Sequence, residues 1–196
     1  GEGSMTYYWG GDSYCDGIGV YPAIPLHADF SDSYDWANTP DSCAATGPLA
    51  QRRALSELCY EVGVAFTMSY SACGSGAYVP DGVHVYQDFF RYKDTIAFCR
   101  RPDNTFFQWS DLIRNQIIAG QPILYRIKMH AIVCDGWQDS ELFGFYHMNY
   151  GWGGSQNAWF AIDNLYCTWE GCSVEEEFII TGITPDRRAY FSSDTS

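Results

Sequence analysis

His130 and Asn149 are the residues whose types and spacing could do chemistry. His130 opens the apolar run 131–134, and Asn149 closes the apolar run 142–148. Two such runs joined by a polar turn predict adjacent antiparallel strands, whose ends bring distant residues together. An asparagine placed there can hold an imidazole in one tautomer, which a Cys–His nucleophilic site requires. A histidine at a strand start is more often structural, so the pair alone leaves both readings open.

The elements that must position this pair form a predicted antiparallel meander over residues 128–162. A polar turn follows the first run, and the glycine-rich corner 151–154 follows Asn149. Such a corner could by itself be a structural bulge. The predicted strands of this sheet are residues 123–127, 131–134, 142–148, 158–162 and 177–183.

Three helices are predicted before this sheet. The first covers residues 49–62 with Gly63 as its stop and a strand at 64–68, because its apolar residues recur at helical spacing. Asp81 is the expected cap of the second helix and Ser110 that of the third. Helices gathered first and antiparallel strands gathered last indicate an α+β fold, not alternating βαβ units. Short strands are predicted at residues 19–22, 27–30 and 96–98.

Length and charge limit the classes of function. The 196 residues predict one domain over 1–184 and a polar tail over 185–196. A net charge of −13 argues against nucleic acid and anionic membrane surfaces as partners. No apolar run approaches the length of a membrane span, and the chain does not open on a signal peptide.

The eight cysteines and four histidines form no zinc-binding pattern, so we expect no metal and no cofactor. An even number of cysteines suits an oxidising compartment. Cys59 and Cys134 lie within apolar patterns and are equally compatible with buried free thiols. Cys167 and Cys172 flank four residues and could close a small loop, but the spacing leaves their pairing open.

The strand of His130 and the corner after Asn149 also carry a resemblance to a known family. HAIVCDGW, FYHMNYGWGG and AWFAI resemble the His–Asn half of papain-superfamily cysteine peptidases, closest to the streptopain-like branch of secreted bacterial enzymes. Weaker similarity extends over nearly the whole chain, about residues 5–185. The resemblance implies a papain-like fold, with helices packed against a mostly antiparallel sheet.

The resemblance implies three catalytic residues. His130 would be the general base that takes the thiol proton and later protonates the leaving amine. Asn149 would orient the imidazole. Trp152 would shield the His–Asn hydrogen bond from water and form a wall of the substrate cleft.

The resemblance also implies a set of substrate-binding residues. Gly74, Ser75 and Gly76 belong to a small-residue loop that would line the substrate side. Met129 replaces the family's usual glycine before the histidine, and its bulk would narrow the cleft. Tyr150 replaces a tryptophan of the same wall.

The nucleophilic cysteine does not align with any cysteine of this chain. Residues 5–9 resemble the tail of the nucleophile helix, which places the expected cysteine just before Gly1. A helix N-terminus stabilises a thiolate, so that segment would make the sulfur reactive. Cys43, Cys15 and Cys134 are the alternatives, each in a less suitable context.

Two functions from different classes follow from the resemblance. The first is a secreted cysteine endopeptidase domain, inactive alone without its nucleophile, that takes a peptide or protein substrate. Its partners would include an N-terminal propeptide or a complementary N-terminal fragment. The second is a catalytically inactive module that binds peptide or protein. An acyl transferase on the same scaffold would have the same histidine and asparagine.

Overall fold

The computed structural model of the chain divides into two compact units, Gly1–Arg91 and a second from Tyr92 onward. The single domain over residues 1–184 stays a prediction, since one domain can contain two compact units. The structure describes residues 1–13, 20–40, 45–140 and 144–186. Cys15, Cys43 and most of the predicted polar tail lie outside these residues.

The described residues of the first unit form the elements β1 (Ser4–Trp9), β2 (Asp12–Ser13), β3 (Val20–Tyr21), β4 (Ile24–Asp29), α1 (Leu49–Ala65) and α2 (Gly82–Phe90). The strands pair in two small antiparallel sheets, β1 with β4 and β2 with β3. The buried core of this unit includes Phe30, directly after β4, together with Val64 of α1 and Val85 of α2.

The segment 5–9 is a β-strand, so its prediction as the tail of a helix is wrong. It lies in β1 and pairs antiparallel with β4, from Ser4 opposite Asp29 onward. Exposed and half-buried residues alternate along it with the period of two that a strand requires. The Tyr7 hydroxyl donates to the Met68 carbonyl at 2.6 Å, which holds the inward face in place. The basis for placing a nucleophile just before Gly1 is therefore lost.

Helix α1 runs to Ala65 and passes through Gly63, where the sequence predicts its end. A Cβ atom at Gly63 would collide with the Tyr70 hydroxyl. The glycine therefore serves close packing and is not a stop signal. The strand predicted at residues 64–68 is wrong, because its first two residues complete the helix.

The second unit is a six-stranded antiparallel sheet with one helix packed on it, and the α+β prediction is confirmed. The strand order is β5-β10-β6-β7-β8-β9. The helix begins after Thr105, which forms a capping box with Gln108, so Ser110 is not its cap. The bounds are β5 (Ala97–Arg100), α3 (Phe106–Ile118), β6 (Ile123–Ile127), β7 (His130–Gln138), β8 (Phe145–Asn149), β9 (Ala158–Phe160) and β10 (Phe178–Thr181).

The core of the second unit is the sheet face that packs against α3. Alternate residues of β6, β7 and β8 are buried there, as the pleat of a strand dictates. One polar chain crosses this core: the Trp109 indole donates to the Tyr125 hydroxyl at 3.1 Å, which donates to Glu177 at 2.5 Å. Because the Trp109 indole, the Tyr125 hydroxyl and the Glu177 carboxylate are bonded to one another, this network stiffens the sheet. None of the helices in the described part of the chain has the length and apolar character needed to cross a membrane.

Candidate active site

His130 is the first residue of β7, at the end of a tight hairpin. It pairs with Ile127, so only Lys128 and Met129 connect β6 to β7. Met129 has a φ of 59°, a left-handed conformation that glycine adopts at low cost. The methionine side chain is 64% exposed.

The His130 imidazole is held by a backbone carbonyl. Its Nε2 lies 2.8 Å from the carbonyl oxygen of Tyr150. A carbonyl oxygen can only accept, so Nε2 carries the proton and donates it to this bond. In the neutral ring, Nδ1 is then the unprotonated nitrogen and can accept a proton.

Asn149 does not provide the expected direct hydrogen bond to the imidazole. Asn149 lies opposite Val133, three residues along β7 from His130. Because side chains alternate along a strand, the two functional side chains start from opposite faces of the sheet. The Asn149 Oδ1 instead accepts from the Gly151 backbone N–H at 2.9 Å. Asn149 therefore shapes the corner that follows it.

Trp152 covers the imidazole. The centroids of the two rings are 4.6 Å apart at an interplanar angle of 22°, which is a stacked arrangement. The glycine-rich corner allows this approach: Gly151 has a φ of 73°, and Trp152 forms an isolated bridge with Ser155. The indole is 42% exposed, so one of its sides faces solvent while the other faces His130.

Tyr150 is completely buried beside His130. Its ring is stacked at 6.3 Å from the imidazole, and its hydroxyl donates to the Tyr166 carbonyl at 2.9 Å. Burial raises the pKa of the Tyr150 hydroxyl to about 12, so it stays protonated and keeps this bond. The side chain thus has no exposed surface for the substrate contact expected from the sequence. Tyr166 was not predicted as part of the site, since no local pattern marks it.

The expected substrate loop lies in the first unit. Ser69 and Gly76 form a bridge at its base, and the Ser75 Oγ accepts from the Ser71 N–H at 3.2 Å. Gly74 has a φ of 150°, at the edge of the left-handed region. The Asp12 carboxylate accepts from the loop backbone at Ala72, 2.9 Å away. Substrate binding by Gly74, Ser75 and Gly76 stays a prediction.

The described cysteines differ in state. Cys167 and Cys172 form a disulfide, which settles the pairing that their spacing left open. Cys134 is buried, and burial raises the pKa of its thiol to about 12, which leaves it unreactive. Cys59 and Cys99 are free, and Cys59 is exposed instead of buried.

Metal-ligating side chains come together once among the described residues. Asp32, Glu57 and Glu61 have carboxylate oxygens within 4.8 Å of one another, in the first unit. Glu61 already accepts a hydrogen bond from the Tyr34 hydroxyl at 2.5 Å. Asp32 and Glu57 are exposed and Glu61 is buried, and we assign the cluster no metal.

Comparison with known proteins identifies the family of this chain. The model of the peptidase C10 family matches residues 1–160, most of the chain. The chain belongs to the peptidase C10 family. Two curated relatives are the thiol protease/hemagglutinin PrtT of Porphyromonas gingivalis, 27% identical over 79% of this chain, and streptopain of Streptococcus pyogenes, 28% identical over 67% of it. The chain covers 18% and 33% of these relatives, well under half of each.

Two solved structures share the fold of this C10 chain. A fragment of prointerpain A from Prevotella intermedia is 27% identical, with a TM-score of 0.75 over 94% of this chain and 57% of the other. The active interpain A cysteine protease of the same organism is 26% identical, with a TM-score of 0.74 over 93% and 75%. The papain-like α+β fold and the streptopain-like resemblance are therefore confirmed.

Proposed function

We propose that this chain forms most of the peptidase domain of a cysteine endopeptidase in which His130 is the general base. The observation that carries the proposal is the hydrogen bond from His130 Nε2 to the Tyr150 carbonyl at 2.8 Å. That bond selects the tautomer with an unprotonated Nδ1, the state a general base needs. The stacked Trp152 ring limits rotation of the imidazole and its access to water. Membership of the C10 family supports the same chemistry.

The reaction follows from this arrangement. A cysteine thiol transfers its proton to Nδ1, and the sulfur attacks the carbonyl carbon of the peptide bond. The C–N bond breaks as the proton on Nδ1 moves to the leaving amine, which leaves a thioester. Water then attacks the thioester and gives a proton to Nδ1, and the departing sulfur takes that proton back. We assign the nucleophile to no described cysteine. Cys134, the cysteine nearest to His130 in the sequence, is buried.

Asn149 and Trp152 are positioning residues in this proposal. Asn149 fixes the Gly151 N–H, and so fixes the corner that places the indole over the imidazole. Met129 would border the substrate beside His130, since its exposed side chain adjoins the histidine along the chain. We expect the complete protein to be secreted and to act on peptides or proteins. The precursor form among the structural relatives suggests a propeptide partner.

The test uses the protein encoded by the full reading frame that contains residues 1–196, with the isolated chain alongside. Cleavage of a fluorescently labelled, unfolded protein should be thiol-dependent and should disappear in His130→Ala. Mass spectrometry of the products should find new amino termini created by water, which separates hydrolysis from acyl transfer. A folded, complete protein that binds the substrate but leaves it intact would overturn the proposal.

A peptide-binding module without catalysis is the second candidate, and Met129 favours it. A bulky, exposed side chain stands at a left-handed position directly before the histidine. Met129→Gly relieves the backbone strain and removes the side chain. A binding module should lose affinity for peptide in this variant, whereas an endopeptidase should keep or gain turnover.

A further inference from the structure

A small disulfide-closed loop stands beside the histidine site. We call residues 166–172 the bracing loop. The Cys167–Cys172 disulfide closes it, and the Gly171 N–H donates to the Thr168 carbonyl at 2.8 Å inside it. Gly171 has a φ of 85°, which lets the chain reverse between the two cysteines. The loop is thus constrained both covalently and by its own hydrogen bond.

The bracing loop is tied to the turn that presents His130. The Thr168 hydroxyl donates to the Lys128 carbonyl at 3.1 Å, over a separation of 40 residues. Lys128 begins the hairpin turn, and Met129 in its strained conformation is the next residue. The hydroxyl therefore restrains the backbone two residues before the imidazole.

The bracing loop also holds the other side of the imidazole. The Tyr166 carbonyl accepts the Tyr150 hydroxyl at 2.9 Å, and Tyr150 supplies the carbonyl that His130 Nε2 contacts. The Tyr166 ring stands edge-on to Tyr150 at 5.9 Å and to Trp152 at 6.3 Å. Tyr150 and Trp152, whose rings stack against the imidazole, are thus both in contact with Tyr166 of this loop.

We propose that the bracing loop positions His130, with Thr168 as its positioning residue and the Cys167–Cys172 disulfide as its clamp. The loop fixes the hairpin turn through Thr168 and fixes the acceptor of Nε2 through Tyr166. The inference that this positioning serves catalysis rests on the proposed function; the positioning itself does not.

The first experiment reads the imidazole directly in the isolated chain. NMR measures the exchange of the His130 Nε2 proton with water, assigned by its loss in His130→Ala. Thr168→Val keeps the shape of the side chain and removes the donor, and should speed this exchange about tenfold, the size of one hydrogen bond. Thr168→Ser restores the hydroxyl and should restore the slow exchange.

A matched control separates positioning from general stability. Thr95 also donates its hydroxyl to a backbone carbonyl in the second unit, that of Gly182 at 3.3 Å. Thr95→Val should leave the exchange of the His130 proton unchanged. The double variant Cys167→Ser with Cys172→Ser should behave like Thr168→Val. Unchanged exchange in folded Thr168→Val, or equally fast exchange in Thr95→Val, would overturn the proposal.

The second experiment uses the complete protein and measures turnover. Thr168→Val should lower kcat about tenfold while KM stays within about twofold, because the loop acts on the base and not on the substrate. Thr168→Ser should recover kcat. If the wild type cleaves nothing while Thr168→Val still speeds the proton exchange, the proposed function fails and the positioning stands. A normal kcat together with faster exchange would confine the loop to a structural role and overturn its catalytic part.

Discussion

His130 and His147 lie on opposite faces of one sheet, and each has a tryptophan beside it. His130, at the end of β7, donates from Nε2 to a backbone carbonyl and lies 4.6 Å from the Trp152 ring. His147, in the middle of β8, meets the Asp135 carboxylate through Nδ1 at 2.5 Å and lies 5.4 Å from the Trp159 ring. A His–carboxylate pair has the composition of a catalytic dyad, yet it belongs to the outer surface.

The difference lies in what surrounds each ring. The His147 side chain is 30% exposed and that of Asp135 40%, and such surface pairs contribute little to stability. Gly136 lies opposite His147, and a Cβ atom on Gly136 would stand 3.1 Å from the Trp159 ring. The glycine therefore allows the close packing of His147 and Trp159. His130 instead begins β7 directly after a turn and bonds to Tyr150, directly after β8, and functional residues concentrate at such connections. His130 is therefore distinguished from His147 by its place at a strand end and by the rings stacked on it, and not by a charged partner.

Replacing each histidine with alanine should give the largest difference between the two sites. His130→Ala should lower kcat of the complete protein by about 10³-fold, the size of a lost general base. His147→Ala should change it by less than about twofold, since a surface pair is removed. Turnover of a labelled protein substrate measures both. A loss of similar size in folded His147→Ala would reverse the assignment.

Replacing the tryptophan beside each histidine should give the next largest difference in kcat/KM. Trp152→Ala removes the ring stacked on the candidate base and should lower kcat/KM about tenfold, in keeping with the worth of an aromatic contact. Trp159→Ala removes a ring of similar exposure, 47% against 42%, from the other histidine. It should leave kcat/KM within about twofold. Equal losses in the two variants would mean that the Trp152 effect is one of general stability.

Asn149 tests how the base is oriented. Asn149→Ala frees the Gly151 N–H and should lower kcat/KM about fivefold, the net worth of one hydrogen bond. The NMR signal of the His130 Nε2 proton should persist, because its acceptor is the Tyr150 carbonyl. Asn149→Asp keeps an oxygen acceptor and should stay within about twofold of wild type. Disappearance of that signal in Asn149→Ala would instead support a direct hydrogen bond between His130 and Asn149.

Replacing Cys134 should have the smallest effect on turnover. It lies on β7 between the two histidine sites, and burial raises the pKa of its thiol to about 12. Near pH 8 only about 10⁻⁴ of it is thiolate, so iodoacetamide should label exposed Cys59 first and leave Cys134 intact. The reactivity of Cys134 should rise with pH, since the thiolate fraction rises. Rapid labelling of Cys134, or lost turnover in Cys134→Ala, would make it a nucleophile candidate again.

Strong local patterns made parts of the fold predictable. Strand β6 has the predicted bounds, 123–127, because buried and half-buried residues alternate along it. The start of α1 at Leu49 agrees with the prediction as well. The third helix begins before Ser110, because Thr105 and Gln108 cap each other. The helical prediction for Met5–Trp9 is wrong, because half-buried Met5, Tyr7 and Trp9 alternate with exposed residues at a strand's period, which the resemblance to a helix tail concealed.

The amino-acid sequence by itself determined the α+β class, the histidine at a strand start and the glycine-rich corner beside it. It did so because apolar periodicity and glycine placement act over a few neighbouring residues. Only the tertiary structure decided which atoms meet. The pleat sends the Asn149 side chain away from His130 and brings in the Tyr150 carbonyl. The bracing loop reaches the site across 40 residues, through contacts that no local pattern encodes.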